Sequence, residues 1–556
     1  MRSFSDSPMR ETDPEKSRRT SDAGRRATRL VLFVFGFLAA YFTGLFPPFF
    51  NPNELSRFQA VVAMAEWKTF AIDDAVAALG DHEDKASSGG RLYSNKAPGL
   101  AFAAYPAYGA LRLFLPAPTL ESSGKLFYFL RLVTVSLACL LALRRFAARL
   151  ARLGGHPAAA PLVTLAVALG TPFLFYARSF FAHAWTASLL FLAWDLLRQS
   201  EELAARWPLR WAAGAGLLAA WAVISEYTVV PIAVLLAVRA AARPAWRRLA
   251  AFALAAAVPL VLLLLYNDAC FGSPFTLSSA READPGYAEL ARRGAFGLGA
   301  PSLQIALDFL FDPARGVLLF SPFLLWFFPG IVRWWRSGED RADCAFVLAA
   351  VALFFVALTG YPNWHGGWSL GSRYLLPAVF FAALPIARAL ETPLSRGLFL
   401  AAAAFSVAGH FVLTATWAHL PPDLAWPAAT SAPWFLQRGW IAQNLGTLFG
   451  ATGAVTLVLP ALVTAMAVVS AARAARPTRP AVLVAVLVGL APLVALLLRP
   501  PELSYPGRLW RAALFGVFSG QDPGREELRA VALEAATPEE QRRAVGMWRA
   551  YGPPPP

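Results

Sequence analysis

Between residues 30 and 498 the chain is a succession of apolar runs, most of them near 20 residues long, joined by polar connections rich in arginine. The runs lie near 30–50, 126–143, 159–177, 181–198, 210–240, 248–267, 316–333, 343–360, 371–390, 397–416, 446–472 and 481–498. A helix rises about 1.5 Å per residue and the hydrocarbon layer is about 30 Å thick, so each run is long enough to cross a bilayer. Lipid offers no hydrogen bonds, so a crossing segment must satisfy its own backbone, and the pattern predicts an all-α integral membrane protein. Charged residues make up only 15% of the chain, against about 25% in ordinary soluble domains. That excludes a soluble enzyme of common composition and a disordered chain. Cys139, Cys270 and Cys344 stand far apart in or beside apolar runs, which fits neither a zinc site nor a disulfide framework.

The net charge of +15 would suggest nucleic acid in a soluble protein. Here the arginines cluster between apolar runs, as cytoplasmic loops do, and no nucleic-acid partner is expected. The clusters are Arg144, Arg145, Arg149 and Arg152; Arg198, Arg206 and Arg210; Arg243, Arg247 and Arg248; Arg333, Arg336 and Arg341; Arg388 and Arg396; and Arg473, Arg476 and Arg479. The run 210–240 is too long for one crossing and carries Glu226 and Pro231, so a broken helix or a pair of short crossings fits it. Counted as two, it puts every cluster on one side and predicts roughly 13 crossings. Residues 51–125, 268–315, 361–370, 417–445 and the C-terminal tail then lie outside. Residues 97–115, rich in Tyr, Pro and Gly, read as an interfacial or re-entrant helix. Residues 1–29 read as a disordered cytoplasmic tail, 30–498 as the membrane domain and 499–556 as a polar tail with a helix around 524–549. The first run is too long for a signal peptide and reads as a retained helix.

The long polar segment 51–97 follows the first run and concentrates charge at one membrane face. It opens Asn51-Pro52-Asn53-Glu54-Leu55-Ser56-Arg57, passes Asp73, Asp74 and the Asp81–Lys85 cluster, and closes Arg91-Leu92-Tyr93-Ser94-Asn95-Lys96-Ala97-Pro98-Gly99. Lysine occurs only at 16, 68, 85, 96 and 125, so three of the lysines fall in this one segment. An acid just past a first helix, then Tyr-Ser-x-Lys-x-Pro-Gly opening a second apolar stretch, resembles the GT-C glycosyltransferases, within them the bacterial protein O-mannosyltransferase and aminoarabinose-transferase branch. Ser225-Glu226-Tyr227-Thr228, Tyr266 to Phe275 and Asn363 to Tyr374 agree in order, and the likeness covers most of residues 30–470.

The resemblance implies a GT-C-type bundle with a long first periplasmic loop (51–97) as its catalytic loop. It implies a sugar donor on a polyprenyl phosphate, undecaprenyl phosphate in a bacterial inner membrane, and an acceptor that is a glycan, lipid or protein. It also implies Glu54 as the catalytic acid of the family, here the base. Relatives often carry two adjacent acids at this point, whereas this chain has Asn53-Glu54. A metal held by an acidic pair is therefore disfavoured; no cofactor is called for, and a divalent ion is left open.

The residues support the same chemistry on their own terms. Sugar transfer needs a base for the acceptor proton and cations or amide donors for the departing phosphate. Glu54 is the candidate base; the alternative is a structural ion pair with Arg57 three positions on, and Arg57 is also a candidate for the substrate. Lys96 suits a phosphate; the alternative is a snorkelling interface lysine. Tyr93 is a weaker neighbour. Arg373, after a Gly-rich outer loop, suits bidentate phosphate binding or a helix cap, and His365, between Trp364 and Trp368, a sugar pocket or an interfacial aromatic belt. Glu226 in an apolar run reads as an arginine partner ahead of a group that tunes the donor site, the Asp81–Lys85 cluster as a solvated loop, and the aromatic stretch 417–445 as interfacial ahead of a sugar-stacking surface. The loops 268–303 and 417–445 are further external loops, the first placed to gate access. The rival reading is a polytopic lipid or polysaccharide transporter, or a lipid-linked oligosaccharide ligase without this chemistry. A transporter of the inverted-repeat kind pairs two broken helices, and the sequence offers one break and no internal repeat.

Overall fold

The computed structural model describes residues 14–44, 51–153, 155–202, 207–242, 245–292, 297–416, 419–421, 424–477, 480, 502–519 and 522–551. These are almost wholly helical, with one two-stranded hairpin. Helix α1 spans Pro14–Phe42. The expected tail over 1–29 is therefore corrected from Pro14 on: a proline suits the first helical turn, and Asp22 pairs with Arg25 one turn along. The last carbonyls of α1 are capped from elsewhere. Ala40 accepts from the Tyr128 hydroxyl (3.1 Å), Phe42 from Arg178, and Gly44 from Arg131 (3.4 Å). Such caps satisfy the groups a helix end leaves open.

Residues 51–97 fold as a compact unit. Asn51 caps α2 (Pro52–Glu66), with Pro52 at its start; α3 is Asp73–Leu79. Strands β1 (Lys85–Ser88) and β2 (Arg91–Ser94) pair antiparallel, Lys85 opposite Ser94. Their two-residue turn is Gly89-Gly90, both at positive φ (58° and 77°), which a tight hairpin turn requires. Helix α4 (Gly99–Leu111) is about 20 Å long, short of the hydrocarbon thickness.

The bundle follows: α5 (Ser123–Arg131), α6 (Leu137–Arg152), α7 (Ala159–Leu169), α8 (Phe173–Ala177), α9 (Ala182–Glu201), α10 (Pro208–Ser225), α11 (Val230–Ala241) and α12 (Trp246–Phe271). Every residue of α7 is buried, as expected of a helix apolar all round. The run 210–240 is broken at Glu226–Val229, between α10 and α11. Among the described residues, five helical segments are long and apolar enough to cross a membrane: Ser123–Arg152, Trp246–Phe271, Arg341–Leu358, Pro393–Ala415 and Val455–Ala475. Leu254, Val258, Val261 and Leu265 on α12, and Val458, Leu459, Leu462 and Met466 on the last of these, stay exposed, giving the apolar surface that lipid covers. The protein is an all-α, multi-pass membrane protein. The runs 316–333 and 371–390 are assembled from short pieces interrupted at Pro322, Pro377 and Pro385, and the run 481–498 and Trp417 lie outside the described residues.

The arginine clusters gather at one end of the bundle. Asp195 on α9 pairs with Arg145 (2.7 Å) and Arg149 of α6. Asp343 pairs with Arg198 and, at 2.7 Å, with Arg239, which also holds Glu201 at 2.7 Å. His183 stands near the opposite end of the 20-residue α9, about 18 Å along the helix from Asp195 and about 27 Å from Glu201. The C-terminal region holds three helices, Tyr505–Ser519, Asp522–Leu533 and Pro538–Tyr551, so the single helix expected over 524–549 is broken after Leu533. Tyr505, Leu509 and Leu528 form a small core of their own. This unit rests on the 424–438 segment through Arg438–Glu527 (3.4 Å) and on Trp368 through Trp510 (5.2 Å between rings).

Candidate functional site

Helix α2 carries Glu54 and Arg57, and both are buried. They do not pair with each other. Glu54 Oε1 accepts the Phe180 N–H and lies 3.5 Å from Arg131 Nε. Arg57 Nη1 donates to the Asn53 carbonyl (3.1 Å) and side chain, while its Nε finds no acceptor among the described residues. Burial pushes the Arg57 guanidinium down to about 10, against the pull of Glu226, Asp84 and Glu54; Arg373 adds to the fall. Those four charges thus surround one guanidinium.

The Tyr93–Gly99 segment delivers its side chains in several directions. Tyr93 packs against Phe271 (5.6 Å between rings) in a small cluster with Tyr266 and Cys270, away from the charges. Ser94 Oγ meets Ser56 Oγ at 2.7 Å and fastens the hairpin to α2. Asn95 Nδ2 donates to Glu282 Oε2 at 2.8 Å and approaches Asp84 Oδ1 at 3.5 Å. Lys96 Nζ pairs with Asp84 Oδ1 at 3.0 Å. Lys96 and Arg57 line one small recess with Ser94, Phe70, Phe102 and Tyr266. Gly99 starts α4 against the α10–α11 break: a Cβ there would lie 2.7 Å from the Ile224 carbonyl carbon and closer still to Ser225 Oγ. The glycine of the motif is thus explained by backbone approach.

The expectation of a solvated Asp81–Lys85 loop is corrected in part. Asp81 and Lys85 pair at the surface, but Asp84 turns inward. Burial raises its carboxyl, and the Lys96 ammonium, by charge and hydrogen bond, brings it below the ordinary range. His82 is pushed down to about 4 by burial, opposed by Asp84; its Nε2 meets Gln59 at 2.7 Å. The 268–303 loop reaches this hairpin. Ala86 bridges Glu282 in antiparallel fashion, Ala283 N–H donates to the Lys85 carbonyl (2.9 Å), and Ser278 Oγ to the Asn95 carbonyl (2.9 Å). Burial raises the Glu282 carboxyl to about 7, against Lys96 and the Asn95 bond.

The break between α10 and α11 holds Glu226 in extended backbone (φ −158°, ψ 108°). Trp221 Nε1 donates to the Gly99 carbonyl (2.8 Å) and Trp185 Nε1 to Ser225 Oγ (3.1 Å), so the break is fixed from both sides. Glu226 Oε2 lies 3.8 Å from His183 Nδ1, and no arginine reaches it within ion-pair distance among the described residues. His183 sits in the field of Arg373, Arg57 and Lys96.

Arg373 follows a loop built on glycine. Gly366, Gly367 and Gly371 all have positive φ (67°, 63° and 58°), and the Gly366 backbone lies against the Arg373 guanidinium. Arg373 Nη2 reaches only the Tyr374 hydroxyl, at 3.4 Å, and the guanidinium lies over the Phe181 ring (5.3 Å). Its Nε has no acceptor among the described residues, and no carboxylate pairs with it. His365 belongs to the loop itself: its Nδ1 accepts the Gly367 N–H (3.0 Å) and its carbonyl accepts Arg315. Buried Arg315 also donates to the Gly367 carbonyl and Ser369 Oγ, both at 3.0 Å.

Of the residues the sequence singles out, Arg57 and Lys96 line one recess, and Glu54 and Arg373 act on the Arg57 charge from nearby. Tyr93 and His365 are taken up by packing and by loop bonds. Sequence reasoning passes over Asp84, Glu282, His183 and Arg315 as site residues. The Asp-Pro-Ala-Arg-Gly turn at 312–316 between two apolar runs is the one signal that points to Arg315. An apolar cavity opens between the pieces of residues 310–328 and 371–382, lined by Phe320, Phe327, Phe354 and Leu375 with Arg315 and Ser372 at its polar margin. Among the described residues no three His, Cys, Asp or Glu side chains are grouped to hold a metal ion.

No protein-family model matches the chain, and no curated protein matches it. Among solved structures it is similar to ArnT from Cupriavidus metallidurans in the apo state, at 18% identity over 92% of this chain and 80% of that one, with a TM-score of 0.45. It is also similar to the same ArnT bound to undecaprenyl phosphate, at 16% identity over 84% of this chain and 78% of that one, TM-score 0.45.

Proposed function

We propose that the protein is a membrane glycosyltransferase of GT-C type that takes a sugar from a polyprenyl phosphate and passes it to an acceptor hydroxyl or phosphate group. The donor lipid is undecaprenyl phosphate, the membrane a bacterial inner membrane, and the reacting face the extracytoplasmic one. The observation that carries the reading is a pair of buried arginines, Arg57 and Arg373, each with an unbonded Nε and no carboxylate partner, in one cluster with Lys96. A buried donor left unsatisfied costs about 1–3 kcal/mol, and an anion bound by the two guanidinium groups would offset that cost. A phosphate monoester or diester supplies such an anion, with charge-assisted bonds roughly twice as strong as neutral ones.

The apolar cavity beside Ser372 suits an isoprenoid chain, which needs apolar walls next to the phosphate site. Transfer breaks the bond between the anomeric carbon and the phosphate oxygen. The three cations take up the charge that develops on the leaving phosphate, and attack from the opposite face inverts the anomeric centre. Glu54, with Oε1 held between Phe180 N–H and Arg131, binds the C-terminal end of α1 to α2 and α5.

The test is turnover by the purified full-length protein of a panel of radiolabelled undecaprenyl-phosphate sugars, with candidate acceptors and with water alone. Release of undecaprenyl phosphate is expected. Arg57→Ala and Arg373→Ala should each lower it about 10²–10³-fold, the effect of removing one donor from a developing anion. A folded wild-type protein that turns over none of them overturns the reading.

A further inference from the structure

Four carboxylates stand around the Arg57–Lys96–Arg373 cluster, and they differ in what their oxygens already do. Glu54 has Oε1 committed to Phe180 N–H and Arg131, and its side chain is only 6% exposed. Asp84 is tied to Lys96 and Asn95. Glu282 accepts from Asn95 and is fixed by its backbone to the edge of β1. Glu226 is set apart by what it faces: of the four it is the one beside a buried histidine nitrogen that has no hydrogen-bond partner among the described residues. Its side chain is 17% exposed, Thr228 Oγ1 reaches Oε1 at a long 3.3 Å, and Oε2 accepts no hydrogen bond from any described residue.

Facing Oε2 at 3.8 Å is His183 Nδ1, buried and without a hydrogen-bond partner among the described residues. That separation is too long for a direct bond; an acceptor oxygen about 2.8 Å from each atom would bridge the two. Both sides of the gap are held rigid. His183 stands at the start of α9 with Tyr374 edge-on to its ring at 5.2 Å, and Glu226 is fixed by the Trp185 and Trp221 bonds at the helix break.

We propose that Glu226 is the base of the transfer, taking the proton of an acceptor hydroxyl that bridges Glu226 Oε2 and His183 Nδ1. This rests on the glycosyl-transfer reading and names the residue that reading needs. The acceptor O–H proton passes to Glu226 Oε2, and the oxygen lone pair forms the bond to the anomeric carbon. The bond from that carbon to the phosphate oxygen breaks, and its electron pair leaves with the phosphate held by Arg57, Arg373 and Lys96. His183, in its Nδ1–H form, donates to the acceptor oxygen and is a positioning residue. The charged and titratable groups facing Glu226 are Arg57 from α2, His183 from α9, Tyr227 beside it and Tyr361 across the site.

The experiment uses purified full-length protein and an undecaprenyl-phosphate sugar that the wild type turns over, with water or a hydroxyl acceptor. Glu226→Gln should lower kcat 10²–10⁴-fold, the range of a lost general base, with thermal stability and affinity for undecaprenyl phosphate unchanged. Glu226→Asp should restore part of the rate, and the rise of kcat with pH on the acid side should vanish in Glu226→Gln. His183→Ala should lower kcat and leave the donor KM near the wild-type value. A Glu226→Gln protein within threefold of wild type overturns the assignment, as does a loss of undecaprenyl phosphate binding that matches the loss of rate. Survival of the acid limb in Glu226→Gln with its loss in Glu54→Gln returns the role to Glu54 and overturns it too. If the wild type turns over no such donor, the reaction class fails with it; a working wild type beside a working Glu226→Gln removes the base assignment alone.

Discussion

At the scale of residues, a structural carboxylate is told from a reacting one by what its oxygens face. Glu54 sits under the capped end of α1, where Arg131 and Arg178 satisfy its last carbonyls, and its own Oε1 meets Arg131. Removing it leaves a buried guanidinium without that counter-charge and Phe180 N–H without an acceptor. Glu54→Ala should therefore destabilise the protein by about 3–5 kcal/mol, the usual effect of breaking a buried ion pair. Thermal unfolding in detergent measures this, and an unchanged melting temperature would remove the structural role. Much of the cluster is legible in the chain because Glu54, Lys96 and Arg373 stand in motifs whose order carries the resemblance. Asp84 and Glu282 are not legible in that way. Nothing in hydropathy says that Glu282 folds onto Asn95 from 187 positions away, and Asp84 looks like one more charge in a solvated run until the hairpin turns it inward.

At the scale of elements, the 278–283 segment docks on the edge of the two-stranded hairpin through a single bridge, Ala86 to Glu282, and a few hydrogen bonds. The Glu282 carboxyl, raised by burial from 4.5 to about 7, makes that edge sensitive to pH. A carboxyl whose folded value is raised is better accommodated protonated. Docking is then strongest below about pH 4.5, weakens as pH rises towards 7, and levels off above that. The protection factor of the Ala283 amide, which donates to Lys85, should be higher at pH 5 than at pH 8 and flat with pH in Glu282→Gln. Equal protection at both values in the wild type would refute this. The break in the run 210–240 is readable from length alone, because one helix that long would overshoot the bilayer. The helix over 14–29 is not, since its sequence is mostly polar and its packing, Ala27 in the core and Gly24 against Pro157, comes from segments far along the chain.

At the scale of the whole molecule, the two ends of the bundle are chemically different. One end is a set of closed ion pairs, Asp195 and Asp343 with their arginines, in which every acid faces a base. The other holds Arg57, Lys96 and Arg373, with Ser372 at the margin of an apolar cavity, and leaves guanidinium donors unbonded. Apolar runs and arginine clusters disclose the membrane class. The number of crossings is less legible, because Pro322, Pro377 and Pro385 cut two of the runs into short pieces that hydropathy averages into one. The account turns on the open end being a phosphate site for a lipid. The most direct measurement compares the affinity of the purified protein for undecaprenyl phosphate and for undecaprenol. With charge-assisted bonds worth about 1.5–3 kcal/mol each, two guanidinium groups should favour the phosphate by about 100-fold or more, and Arg57→Ala combined with Arg373→Ala should abolish the preference. Equal binding of the two lipids by the wild type, or a preference that survives the double substitution, would contradict it.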